Sequence, residues 1–365
     1  MGILIGMDEA GYGPQLGPLV VAATAWEVGE QGSGFGVQGP EGTHETVIAA
    51  RRNSSLAVFN PQSAIRNPRS EIDAPVDLYR RLRNVVARRA SERRIAIADS
   101  KALYHPGHGL RQLERGLHAV LIAMQQSFGC WSSFVEYCGA DPDGRHRRHC
   151  WPDGFDCRLP VDALPDELAR LGQRLARACR AVGVRPLVIR ARLVFPEQFN
   201  ELVTYYNSKG AALSHVTVGL FREVMDFVAR SADANAPAPC YAVCDKHGGR
   251  NYYTSLLQHH FSEHWIAPVC ESRAESRYEW GEPESRVRVV FCVNGERFLP
   301  TALASMTAKY LRELAMSAFN AFWRAHVPDL RPTAGYSRDA SRFKDEIATK
   351  QRELKIDDHV LWRSR

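Results

Sequence analysis

The sequence predicts an α/β fold, and three observations carry that expectation. Strand-length apolar runs occur at 3–7, 19–28, 186–191 and 241–245. Between and after them lie stretches with apolar residues at helical spacing, most clearly 109–128, 164–181, 203–229 and 301–325. Two of the apolar runs also lead into acids, Asp8-Glu9 and Asp245, that open onto glycine-containing loops.

Residues 3–7 and 19–28 are expected to be two strands joined by a turn rich in Gly and Pro. From 29 to about 75 the composition shifts to Gly, Ser, Asn, Pro and Arg with little periodicity, the signature of a mobile insertion. Helical spacing at Leu78, Leu82, Val85 and Val86 predicts a helix over 77–92, and the run 94–98 leads into Asp99-Ser100-Lys101. A second insertion gathers Cys130, Cys138, His146, His149, Cys150 and Cys157. It reads either as a zinc site or as a loop holding thiols and imidazoles. Structural zinc sites present paired ligands two to four residues apart, and the absence of that spacing favours the loop. The run 265–269 is strand-like, a hairpin is expected over 278–293, and no internal repeat is evident.

The chain has 365 residues, enough for one large domain with insertions or for two. No run approaches the roughly 18 apolar residues of a membrane span, and the first residues lack a basic segment followed by a long apolar core, so a cytoplasmic protein is expected. Nine scattered cysteines fit reduced thiols. The net charge is +6, and of 47 basic residues only seven are lysine. Arginine's planar fork suits phosphate, so a polyanionic partner is one reading; an arginine-rich genome composition is the other.

Gly11, Gly13 and Gly17 do not form a dinucleotide fingerprint, because Pro14, Pro18 and the β-type run Leu19-Val20-Val21 follow where a helix would have to start. The turn is read instead as one that lets backbone approach a ligand closely. Alternation along a strand would send Asp8 and Glu9 to opposite faces, so for both to serve one centre the chain is expected to leave the pleat near Glu9. Acids at strand ends beside a cleft supply the oxygen ligands that a hard divalent cation needs. An acid that caps a helix or pairs with arginine is the bland alternative for Asp245.

Gly6-Met7-Asp8-Glu9-Ala10-Gly11-Tyr12-Gly13, followed by Gly17-Pro18-Leu19-Val20-Val21-Ala22-Ala23, resembles the opening signature of the type 2 ribonuclease H family, ribonuclease HII and its relatives. Asp99-Ser100-Lys101 resembles its second motif, 241–245 its third acidic strand, 304–310 the helix lining its site, and Gly335-Tyr336 its late tyrosine. The matches keep family order over roughly two thirds of the chain. The resemblance implies an RNase H-like fold with a mixed central sheet flanked by helices. Its core would be 1–28, 77–127 and 184–310, with insertions 29–76 and 128–183 and a helical, substrate-contacting C-terminal region 311–365. It implies an endonuclease that cuts RNA in RNA–DNA hybrids, or at ribonucleotides in DNA, with Mg²⁺ or Mn²⁺.

Under that resemblance Asp8, Glu9 and Asp245 are metal ligands. Arg273-Ala274-Glu275-Ser276 resembles the stretch carrying the family's fourth acid, which favours Glu275; Glu296, just before the long helix, is the competitor. Substrate contacts fall to Gly11, Tyr12, Gly13, Ser100, Lys101 and Tyr336. Lys101 would meet phosphate, with helix capping the alternative for Asp99 or Ser100. Lys209, Lys309 and Arg312 could add phosphate contacts, although a solvated helix face is the simpler reading of each. Where the family has Gly-Arg-Gly this chain has Gly11-Tyr12-Gly13, so the arginine's charge is missing from recognition of a ribose 2′-hydroxyl. The alternatives are a binding protein that has lost cleavage and a nuclease acting on structured DNA or RNA. No membrane and no obligate protein partner is implied.

Overall fold

β1 (Gly2–Ala10) and β2 (Leu19–Val28) pair antiparallel in unbroken register from Gly2 opposite Val28 to Ala10 opposite Val20. Every residue of β2 is buried, as its near-continuous apolar run requires of a strand covered on both faces. The computed structural model describes residues 2–29, 76–144, 156–231 and 238–364. Apart from its two end residues, the insertion 29–76 therefore lies outside the described residues, as do His146, His149 and Cys150.

The next elements are α1 (Leu78–Arg81), β3 (Val86–Ala87), β4 (Ile95–Ala96), α2 (Ser100–Leu103), α3 (Arg111–Ala123), α4 (Trp131–Cys138) and α5 (Pro165–Ala181). The helix expected over 77–92 is only α1. Its apolar positions 85 and 86 serve a different end, because β3 pairs parallel with β4 in a separate two-stranded sheet buried against the core. The segment 128–183 contributes to the main core through Phe134, Val135 and Cys138 of α4 and Leu171, Leu175 and Cys179 of α5. Cys130, Cys138 and Cys157 are free thiols.

β5 (Val184–Val194) leads into α6 (Pro196–Tyr206) and α7 (Lys209–Ser231). The single helical stretch expected over 203–229 is thus two helices. Asn207, at φ 51°, takes the left-handed conformation that ends α6. β6 (Cys240–Asp245), α8 (Thr254–His260), β7 (Ala267–Glu271), β8 (Glu275–Trp280) and β9 (Val287–Cys292) follow. The long α9 (Leu299–His326), then α10 (Ser337–Glu353) and α11 (Asp358–Leu361), close the chain.

Seven strands form one mixed sheet in the order β5-β2-β1-β6-β9-β8-β7. β1 with β6 and β6 with β9 are parallel; the other neighbours are antiparallel. This is the α/β architecture that the sequence predicts. One face buries Leu4, Val20, Ala22 and Trp26 against α9, α3 and α10; the other buries Ile3, Ile5 and Met7 against α7 and α8. Gly6 fixes how close α9 can come: a Cβ there would stand 2.0 Å from the backbone N of Thr301. Two hydroxyls hold the helix start at that distance. Thr24 Oγ1 donates to the carbonyl of Pro300 (2.8 Å), and Thr301 Oγ1 donates to that of Val243 (3.0 Å).

Candidate metal centre at the end of the sheet

β1 and β6 run parallel with Met7 opposite Cys244, so both strands deliver their acids to the same end of the sheet. The expectation that the chain leaves the pleat near Glu9 is corrected. β1 continues regularly through Glu9, paired with Val21, to Ala10. The acids converge because β6 stops beside them. The β1–β6 pairing ends at Met7 and Cys244, and the carboxylate of Asp245, the next and last residue of β6, interacts with both Asp8 and Glu9.

Asp8 lies on the α9 face, where it accepts hydrogen bonds from the backbone N of Glu9 (2.8 Å) and from Ser305. Ser305 Oγ is 3.1 Å from Ser100 Oγ and 3.3 Å from the Ser100 backbone N. Ser100 is therefore a buried support for the Asp8 carboxylate. Asp99 caps α2 by accepting from the Lys101 backbone N (3.0 Å), which leaves the exposed Lys101 ammonium in the field of Asp99, Asp8, Asp245 and Glu296.

Burial, then the neighbouring carboxylate of Glu9, holds the Asp8 carboxyl well above its ordinary range. Burial, then Asp245, pushes Glu9 up to about 7 against the pull of Lys101. Glu9 Oε2 is buried without a hydrogen-bond partner. A buried, unpartnered carboxylate oxygen beside two further carboxylates is costly in a protein with nothing bound, and it is the donor chemistry that suits a hard divalent cation. The residues present therefore fit Mg²⁺ or Mn²⁺. They do not form a tight single-ion cage: among the described residues, the one group of three whose ligand atoms all lie within 4.8 Å is a histidine trio elsewhere. Two ions about 3.5–4 Å apart draw their ligands from a wider span than one ion does.

Of the two candidates for a fourth acid, Glu296 stands in the field of Asp245, whereas Glu275 is held by an arginine. Glu275, at the start of β8, is ion-paired with Arg277 and stands opposite Cys292 of β9, two strands away from Asp245. Glu296 follows β9. Burial, then the charges of Asp245 and Asp99, raises its carboxyl above the usual range. The adjacent Gly295 donates its backbone N–H to Asp245 Oδ1 (3.1 Å), which locks this turn to β6. Gly295 opens a single helical turn, Gly295–Arg297, so Asp245 also caps that turn, the simpler alternative read for it, while its other oxygen stays available beside Asp8 and Glu9.

Two arginines brace the Gly11–Pro18 turn from inside. Arg312, from α9, donates to the carbonyls of Pro18 (2.9 Å), Leu16 (3.4 Å) and Ala334 (3.0 Å). Arg363 donates to the carbonyls of Gly11 and Gly17. Gly11 has φ +82° and a built Cβ would stand 2.6 Å from Arg312 Cδ, so the position needs glycine. Arg312 is thus neither a solvated face nor a phosphate contact. Lys309 pairs with Glu313 and lies 4.3 Å over the Tyr104 ring. Gly13 is exposed, and Tyr12 is half-buried with its hydroxyl against Gly210 and Gly248. Tyr336 is 56% exposed at the start of α10, tied to the same turn by the Gln15 N–H to the Gly335 carbonyl (2.8 Å). Ser305, Arg312 and Arg363 are the supports the sequence reading missed as such; only the small polar residues of 304–310 gave any signal.

Beside Glu296 the surface turns basic. Arg83, Arg88, Arg89 and Arg94 line a hollow of about 330 Å³ with Tyr79, and Arg88 donates to the carbonyl of Arg297 (3.0 Å). No helix among the described residues is long and apolar enough to cross a membrane.

No family model matches the chain and no curated protein matches it. Among solved structures, the chain is similar to the complex of PCNA and RNase HII from Archaeoglobus fulgidus, at 14% identity over 100% of this chain and 94% of that one, with a TM-score of 0.39. It is also similar to ribonuclease H2 from Pyrococcus horikoshii OT3, at 12% identity over 98% and 92% of the two chains, with a TM-score of 0.36. Likeness of this degree carries nothing about the site.

Proposed function

We propose that this chain is a metal-dependent endoribonuclease, divergent from but related to the type 2 ribonucleases H, that hydrolyses the RNA strand of RNA–DNA hybrids or cuts at ribonucleotides in DNA. The observation that carries the reading is the convergence of Asp8, Glu9, Asp245 and Glu296 at one end of the sheet, with a buried carboxylate oxygen left unpartnered. The motif resemblance and the basic hollow beside Glu296 support the same substrate class.

Asp8, Glu9, Asp245 and Glu296 would hold Mg²⁺ or Mn²⁺, which when bound supplies activation of water and stabilisation of the leaving 3′-oxygen. The protein's own side chains set the rest. Ser305 and Ser100 fix the Asp8 carboxylate, and Gly295 fixes that of Asp245, so the ligands are oriented before substrate arrives. Lys101 faces the acids and offers a cation to a phosphate entering beside them. The braced turn presents the backbone of Gly11 to Gly13 toward a sugar, with Tyr12 filling the space between that turn, the start of α7 at Gly210 and the loop at Gly248. Recognition of this kind reads shape and the 2′-hydroxyl rather than base sequence. The products are a 3′-hydroxyl and a 5′-phosphate.

The test is direct. Purified protein is incubated with a labelled RNA–DNA hybrid, DNA holding one ribonucleotide, and plain DNA, each with Mg²⁺, Mn²⁺ or EDTA. Metal-dependent cutting confined to the first two substrates is expected. Binding without cutting under every metal would leave a nucleic-acid-binding protein, and cutting of plain DNA would change the substrate class.

A further inference from the structure

Away from the acids, on the face covered by α7 and α8, three histidines meet that the proposed reaction does not use. His215 projects from α7, and His259 and His260 end α8. Each offers a ring nitrogen, and the three nitrogens all lie within 4.8 Å of one another. The ring centroids form a nearly equilateral triangle: 5.3 Å from His215 to His259, 5.3 Å from His215 to His260, and 5.1 Å from His259 to His260.

That triangle has a metric meaning. In a tetrahedral zinc site the Zn–N bonds are about 2.0–2.1 Å, which puts two ligand nitrogens about 3.3 Å apart and their ring centroids about 5.2 Å apart. His215 Nδ1 and His260 Nε2 are 3.2 Å apart. The exposed His259 ring needs only a turn about its side-chain bonds to bring a nitrogen to the same separation.

We propose that His215, His259 and His260 form a three-imidazole site for a borderline transition-metal ion, Zn²⁺ above all, that ties α7 to α8. Imidazole nitrogens select such ions and not the oxygen-seeking Mg²⁺ of the acidic centre. With three protein ligands the fourth position faces solvent on the exposed His259 side and takes water. Tyr206 stacks on His215 at 3.9 Å with the rings 8° from parallel, which fixes the orientation of the first ligand. Burial lowers His260 to about 4 and lowers His215 as well, so both rings are neutral and ready to ligate at neutral pH. The cations nearby are restrained. Arg222 pairs with Asp226 and Glu263 and donates to the backbone carbonyl of His260, its charge also bearing on the His260 ring, while Arg250 acts as a field on His215. Bound there, the ion would clamp α8 and so the loop 246–253 that joins it to Asp245, giving the protein a structural metal distinct from its catalytic ones.

The experiment uses the full chain in buffer with millimolar Mg²⁺, dialysed against graded Zn²⁺ and then against Co²⁺. One Zn²⁺ per chain is expected, with visible Co²⁺ absorption of tetrahedral imidazole ligation and slower amide exchange across α8. His259→Ala, at an exposed position and with its fold checked against the wild type by circular dichroism, should weaken binding by about 100-fold or more, since loss of mere outer partners already costs 10- to 100-fold. His215→Gln should do the same. Cys130→Ser with Cys157→Ser, and separately Asp245→Asn, should leave this Zn²⁺ in place. The proposal is overturned if the wild type takes up no stoichiometric Zn²⁺. It is equally overturned if the His259→Ala chain binds Zn²⁺ as the wild type does, or if the cysteine or Asp245 variants are the ones that lose it.

Discussion

Replacing Glu9 by Gln should make the metal-free protein more stable at neutral pH while removing its function. The Glu9 carboxyl is raised from 4.5 to about 7, by burial first and by Asp245 second. Its folded pKa lies above its unfolded one, so the folded chain holds more protons than the unfolded chain between those values and stability must fall as pH rises through that window. At about 1.4 kcal/mol per pH unit, the full swing is roughly 3 kcal/mol, present below pH 4.5 and gone above about 7. Urea unfolding in EDTA at pH 4.5 and pH 8 measures it. Wild type should lose roughly 3 kcal/mol more across that interval than Glu9→Gln, which cannot ionise. Adding Mg²⁺ at pH 8 should restore the wild type and help the variant far less, because only the ionised carboxylates bind the ion. Parallel pH profiles for the two proteins in EDTA would refute the reasoning, since they would mean that Glu9 is not held against its neighbours' charge.

Three further outcomes follow from the same geometry. Glu296→Gln should lower hybrid cleavage by at least about 10- to 100-fold while Glu275→Gln stays within a few-fold of wild type, measured as kcat/KM with saturating Mg²⁺; the opposite ranking would return the fourth ligand to β8. Tyr12→Arg should raise cutting at a single ribonucleotide relative to a long hybrid, and an unchanged ratio would remove the turn from that preference. Arg363→Ala strips donors from the buried carbonyl of Gly17 and the part-buried carbonyl of Gly11. At about 1–3 kcal/mol for each of the two bare acceptors it should cost about 2–6 kcal/mol in urea unfolding; a loss below about 0.5 kcal/mol would mean that the turn does not depend on the C-terminal segment.

The acidic pair and Asp245 were legible because a charged residue at the end of an apolar run has few structural uses. Strand alternation alone misplaced the mechanism of their convergence: it sees one strand and not the neighbour that stops beside it, and β6 ending at Asp245 is what opens the space. Helical spacing misled over 77–92, where Val85 and Val86 are buried by a strand pairing that no local pattern announces. The sequence could not rank Glu275 against Glu296, because what sets Glu275 apart from Asp245 is a pairing across β9, with Cys292 between them in the sheet. Arg312 and Arg363 were read as surface charge or not at all, because nothing in the sequence near 312 or 363 points to a turn some 300 residues earlier. The histidine trio had no sequence signature either, with His215 on one helix and His259-His260 on another.

The central claim is that carboxylates from β1, β6 and the turn before α9 share divalent cations. Crystals soaked in Mn²⁺ and measured at the manganese absorption edge test it without reference to activity. Anomalous peaks among Asp8, Glu9, Asp245 and Glu296, lost in the Asp245→Asn protein, are the expected result. A map with no peak between those side chains, or peaks that persist unchanged in Asp245→Asn, would contradict it.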